Sequence, residues 1–178
     1  MATQLAPQTT PAAAPRRVVD DASLGAWRSF LQAHARLQRR LDEELQAAHG
    51  LSLAEYDALL QLVGAPDRRL RMSALADRVL LSRSGITRLV DRLVADGMVE
   101  RFSCPTDARG SMASITALGV SRLRAASKTH LDGVRRYFLD VVSAEEEAVL
   151  QRSLERVAGG LTGATVADAG ACAVVSEA

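Results

Sequence analysis

Apolar residues return along this chain at two rhythms, and the change from one to the other marks where helices give way to strands. From about Asp21 to His49, Leu24, Trp27, Phe30, Leu31, Leu37, Leu41 and Leu45 recur at three- and four-residue steps, the spacing of one helix face. The run predicts a helix much longer than the globular average of about three turns, and so long a helix needs partners. Gly50-Leu51-Ser52 interrupts it. Ser52-Leu-Ala-Glu55 then has the form of a capping box opening a helix from Leu53 to Val63, with Leu51 and Tyr56 available as a hydrophobic staple and Gly64-Ala-Pro66 closing it.

The next stretch, Leu70 to Thr116, shortens the helices and ends in the other rhythm. Ser73 to Leu80 places Leu75, Ala76, Val79 and Leu80 on one apolar stripe, and Leu80-Leu81-Ser82 leaves only a short turn before a second helix, Ser82 to Asp96. Ser82 is a good N-cap, and Leu81 and Ile86 can staple the entry. Gly85 either permits a close backbone approach or is simply tolerated near the helix end. Gly97 stands at the favoured C-terminal position, after which Met98 to Phe102 alternates like a strand. Ser103 to Gly110 is dense in turn formers, and Met112 to Thr116 reads as the return strand. Helical spacing resumes from Thr116 to Val142, lined by Leu123, Val134, Phe138 and Val141. It continues from Ser143 to about Leu161, lined by Leu150, Leu154 and Val157 and opened by a capping box at Ser143 and Glu146. The pattern predicts a mainly α fold with a small β-hairpin wing, a winged helix-turn-helix with additional N- and C-terminal helices.

The helix from Ser82 separates its chemistry by face. Ile86, Leu89, Val90 and Leu93 lie on one side, and Ser84, Thr87, Arg88 and Asp91 on the other. Outward serine, threonine and arginine near a helix N-terminus suit a DNA major groove, where arginine pairs bidentately with guanine and hydroxyls meet bases or phosphates. A solvated polar face is the alternative. Ser82, Arg83, Ser84, Thr87, Arg88 and Arg92 are the candidate contacts. Arg109, near the hairpin tip, is placed to enter a minor groove, and Asp107 to shape the wing, since a carboxylate facing phosphates would be repelled.

These residues carry a likeness. The run from Leu75 to Arg101, followed by Asp107-Ala-Arg109 and Ile115-Thr116-Ala-Leu-Gly119, resembles the MarR family of bacterial transcriptional regulators. The resemblance implies that Ser82 through Arg92 lie in the major groove and that Arg109 reaches the minor groove. Ala108 stands where many members carry another arginine. It further implies a homodimer and, as in many relatives, a response to phenolic compounds held in a crevice.

Composition sharpens this picture locally. The chain's formal net charge is only +1, yet between Pro66 and Gly110 nine arginines face six acids, an excess concentrated on the candidate DNA-binding segment. The flanking helices, about 21–49 and 117–161, exceed what a small winged module of about 53–116 needs to cover itself. A two-fold dimer reading pseudo-palindromic double-stranded DNA is therefore expected. Residues 21–162 are expected to form one domain between a disordered tail (1–20) and a flexible one (163–178), and the absence of a leader or apolar span suggests a cytoplasmic protein with no membrane partner. Trp27, Phe30 and His34, with Tyr56 at the start of the next helix, could line a pocket for a small aromatic or amphipathic inducer, or simply pack a core. Cys104 in the wing admits a redox switch, whereas Cys104 and Cys172 suggest no disulfide. The three histidines and two cysteines lack metal-ligand spacing, no cofactor is implied, and no phosphate loop or nucleophile motif suggests an enzyme. A winged helix used for protein contacts is the other alternative, disfavoured by the outward arginines and the lack of apolar anchors.

Overall fold

The computed structural model describes residues 19–104 and 107–161, without the side chains of Cys104 and residues 107–110. The chain divides into two units, Met1–Ala35 and Arg36–Ala178, and the boundary falls inside the first helix. That helix, α1 (Asp21–His49), has the 29-residue length the spacing predicts. In the first unit it opens on a reciprocal cap. Ser23 donates its backbone N–H to the Asp20 carboxylate at 2.8 Å, and Asp20 donates its own to Ser23 Oγ at 3.0 Å.

The second unit is built around a winged helix. α1 buries Leu41 and Leu45 there and ends at Gly50, whose φ of +65° only glycine adopts without strain. α2 (Leu53–Val63) starts on the expected capping box, with Ser52 Oγ accepting from the Glu55 N–H and the Glu55 carboxylate accepting from the Ser52 N–H. A short β1 (Arg69–Arg71) leads into α3 (Met72–Arg78), and α4 (Arg83–Ala95) follows across a tight turn. β2 (Val99–Cys104) and β3 (Asp107–Ile115) form the wing, α5 (Ala117–Val134) runs on into a π-helical turn at Arg135–Leu139, and α6 (Ala144–Leu161) closes the described chain. The core draws on Leu45, Leu51, Tyr56, Leu59 and Leu62 beneath Leu75, Ile86, Leu89, Val90 and Leu93, joined by Val99, Ala113 and Leu123. The apolar face expected of α4 is therefore the buried one.

Several expectations change. β1 was not legible as a strand; it pairs antiparallel with β3, Leu70 opposite Ala113, giving the order β1-β3-β2. The turn-forming run Ser103–Gly110 is mostly strand: β2 reaches Cys104, paired with Asp107 after a register irregularity between Ser103 and Cys104, so the paired part of the hairpin is longer than expected. The helix expected from Thr116 to Val142 breaks at the π turn, and Val141 is exposed. Leu80 does not join the apolar stripe of α3. It sits in the left-handed region at φ +57°, and its side chain is 90% exposed. A β-carbon there costs about 1–2 kcal/mol that glycine avoids.

The junction of wing and α5 explains Thr116-Ala-Leu-Gly119. Thr116 caps α5 by accepting from the Gly119 N–H at 3.0 Å and donates its hydroxyl to the Gly97 carbonyl at 2.8 Å. Any side chain at Gly119 would collide with the Met98 carbonyl and with Ile115, so glycine lets helix and strand meet.

Candidate nucleic-acid interface

α4 presents its first turn through a well-made cap. Ser82 Oγ accepts from the Gly85 N–H at 3.1 Å and lies 3.2 Å from Ser84 Oγ. A β-carbon at Gly85 would stand 3.2 Å from Ser82 Oγ, with no other segment's backbone close by, so the glycine eases the fit of the cap and no close backbone approach is seen there. Ser82, Arg83, Ser84 and Arg88 are exposed and Thr87 is half-buried, its hydroxyl donating to the Arg83 carbonyl at 2.9 Å. Arg83 and Arg88 have no hydrogen-bonding or ionic partner among the described residues, so both guanidinium groups are available to an anionic ligand. The helix dipole adds positive potential at the same end.

The next two residues are already engaged. Asp91 accepts from Arg101 Nη1 on β2 at 2.5 Å, and Arg101 also donates to Ser111 of β3. Arg92 donates to Glu55 at 2.9 Å, and Glu55 is a buried residue whose carboxylate also serves the α2 cap. Arg92, grouped with the contacts on sequence, thus stands apart from Arg83 and Arg88, as a strut between α4 and α2. Arg101 and the second role of Glu55 were not foreseen. The partners lie 10 and 37 positions apart in the chain, a separation at which charge pairing leaves no local pattern. Arg109 and Asp107 lie on β3, but their side chains, like that of Cys104, fall outside the described residues, and so does Cys172.

The residues expected to line an inducer pocket are placed as follows. Trp27, Phe30 and His34 form a ladder along α1, with ring centroids 6.1 and 6.2 Å apart, and Trp27 is 54% exposed. Tyr56 is a core residue, 1% exposed, its ring 4.5 Å from that of His130 and its hydroxyl 3.5 Å from Ser127 Oγ. Burial pushes the His130 imidazole below its ordinary pKa. Among the described residues no group of His, Cys, Asp and Glu could hold a metal ion, and no helix is long and apolar enough to cross a membrane.

The fold and this helix define a winged-helix DNA-binding protein. The MarR family profile matches residues 49–110. The HTH-type transcriptional regulator MhqR of Bacillus subtilis (strain 168) is 31% identical over 109 residues, covering 61% of this chain and 73% of that one. Among solved structures, the MarR family regulator Sco3205 of Streptomyces coelicolor, crystallised in complex with DNA, is 35% identical with a TM-score of 0.78, covering 83% of this chain and 92% of that one. PcaV of Streptomyces coelicolor, crystallised with its natural ligand, is 28% identical with a TM-score of 0.63, covering 83% and 100%. The chain belongs to the MarR family and is a DNA-binding transcriptional regulator.

The Glu55–Arg92 strut yields a stability prediction. Burial works against the Glu55 charge, but hydrogen bonds from Ser52 and Arg92 outweigh it and hold the carboxyl below the ordinary glutamate value. A lowered folded pKa contributes stability that is present above the unfolded value of about 4.3 and is lost as pH falls through the folded one. Glu55→Gln is therefore expected to cost about 1–2 kcal/mol at pH 7. Thermal denaturation should show the gap to the parent protein closing as the pH falls below about 4.

Proposed function

We propose that the protein is a homodimeric repressor that places paired α4 helices in successive major grooves of a pseudo-palindromic operator and is released by a small aromatic or amphipathic ligand. The observation that carries the reading is the contrast within α4, where Asp91 and Arg92 are paired internally while the guanidinium groups of Arg83 and Arg88 have no partner among the described residues. Ser82, Arg83, Ser84, Thr87 and Arg88 are assigned to the major groove, Arg109 to the minor groove, and Asp107 to shaping the wing.

Dimerisation is supported by α6, none of whose residues is buried although Leu150, Leu154, Val157 and Leu161 follow one another at four, three and four residues. Such a stripe on a terminal helix fits a self-complementary contact with a second copy. Release by a ligand is supported by the exposed Trp27, Phe30 and His34 rings, which offer stacking surface to an aromatic molecule, and by the likeness to a regulator crystallised with its natural ligand. The ligand must prefer the subunit arrangement that mismatches the operator, because equal affinity for both arrangements shifts nothing. Acting on the chromosome, the protein works in the cytoplasm.

Gel-shift titration across genomic fragments is expected to find salt-sensitive binding to inverted repeats whose half-sites are centred about 34 Å apart, or a small multiple of that. Phenolic acids should weaken the shift in the parent protein and less so in Trp27→Ala. The absence of salt-sensitive binding to any fragment would overturn the DNA reading; binding that no phenolic or lipophilic compound alters would overturn the ligand.

A further inference from the structure

Three helices of the described chain end on a residue in the left-handed region: α1 at Gly50, α4 at Gly97 and α3 at Leu80. The α3 and α4 ends share one hydrogen-bond pattern. At α4 the Met98 N–H reaches the Leu93 carbonyl at 2.9 Å and the Gly97 N–H reaches Val94 at 3.0 Å; at α3 the Leu81 N–H reaches Ala76 at 2.9 Å and the Leu80 N–H reaches Asp77 at 3.4 Å. Both are Schellman closures, and the position that must turn left-handed is the one where glycine fits. The chain uses glycine there after α4 and leucine after α3.

Packing does not compensate for the leucine. The apolar contact that accompanies such a closure is supplied by its neighbours, since Leu81 packs against the core and Ala76 is buried. Leu80 is the most exposed large hydrophobic side chain among the described residues, at 90%. A strained backbone carrying an exposed branched side chain, in a fold that gains from neither, points to a task outside the fold.

Its place in the chain says which task. Leu80 stands two residues before Ser82, the cap of α4, so its Cα is at most about 7.6 Å from that of Ser82. The first turn of α4 carries Arg83 and Ser84, and in helix-turn-helix proteins the N-terminal part of the recognition helix meets the base edges. The apolar group that the major groove offers there is the C5-methyl of thymine. We propose that Leu80 is an additional specificity-determining residue, whose side chain packs on a thymine methyl at the border of each half-site. The inference rests on the reading that α4 enters the major groove.

The test begins with duplexes enriched from a random library by the full-length parent protein, and again by Leu80→Gly and Leu80→Asn, both of which tolerate the left-handed backbone. Leu80→Gly is expected to melt at the same temperature as the parent or higher, and to keep the salt dependence of its binding. It should bind the parent's duplex about fivefold more weakly, the effect of losing one or two buried methyl-sized groups. The parent's duplexes should carry a thymine that both variant pools lose, and deoxyuridine at that position should weaken the parent about threefold to fivefold while leaving Leu80→Gly unaffected. Equal affinity of parent and Leu80→Gly would overturn the proposal. A loss with no response to deoxyuridine would overturn it as well, assigning the contact to deoxyribose. Failure of the parent to enrich any duplex in a salt-sensitive way would instead remove the groove reading beneath it.

Discussion

Leu150→Glu combined with Leu154→Glu is expected to give a folded monomer that has lost operator affinity by about a thousandfold or more. The two leucines stand one turn apart on α6, 37% and 42% exposed, in a helix with no fully buried residue in its own chain. Charging them therefore removes little from the fold of one subunit, and far-UV circular dichroism should be unchanged. In a dimer they would be fully covered, and four carboxylates brought to one seam would be left without solvation. A lone subunit engages one half-site only. Its binding then falls from the range typical of specific complexes, about 10⁻⁸ to 10⁻¹¹ M, toward the non-specific range of about 10⁻⁴ to 10⁻⁶ M. Sedimentation velocity and gel shift on one sample check both halves of the expectation. A double variant that stays dimeric would move the interface to α1.

Arg88→Ala is the other large effect, and it separates two ways of using an arginine. Arg88 is exposed and unpartnered among the described residues, so its loss should leave thermal stability within about 0.5 kcal/mol of the parent. DNA affinity should fall by about 1–3 kcal/mol if it pairs with a guanine, with preference relaxed at one base pair and the salt slope nearly kept. If it meets phosphate, the loss should be equal on all sequences and the salt slope should drop by about one. Arg92→Ala makes the contrasting control. Because its partner is Glu55, it is expected to lower thermal stability, which Arg88→Ala leaves nearly unchanged.

What the chain disclosed in advance follows from range. Helix periodicity, caps and glycine ends are local, and α2, the Ser82 cap and the buried face Ile86, Leu89, Val90 and Leu93 all stand where spacing put them. The three-residue β1 is too short for alternation to show, and it exists because Arg69–Arg71 finds the free edge of β3. Turn-forming residues from Ser103 to Gly110 disguised strand, since cross-strand pairing overrides local preference. Leu80 was misplaced for a related reason, because an apolar residue in helical register looks like core until the helix is seen to end beneath it. Tyr56 could be named for a pocket or for a core, and its burial against His130 belongs to the core. What sets Arg83 and Arg88, unpartnered among the described residues, apart from Arg92 is the distant partner Glu55, which no local pattern discloses.

Those two adjacent side chains make opposite attachments, Asp91 to the wing through Arg101 and Arg92 to α2 through Glu55. The recognition helix is thereby braced on both flanks, like a beam pinned to two walls. In the ligand-released dimer proposed above, an effector would have little slack to exploit inside one reading head and would act on the gap between heads, leaving the choice of bases to each subunit and control to how far apart the pair is held.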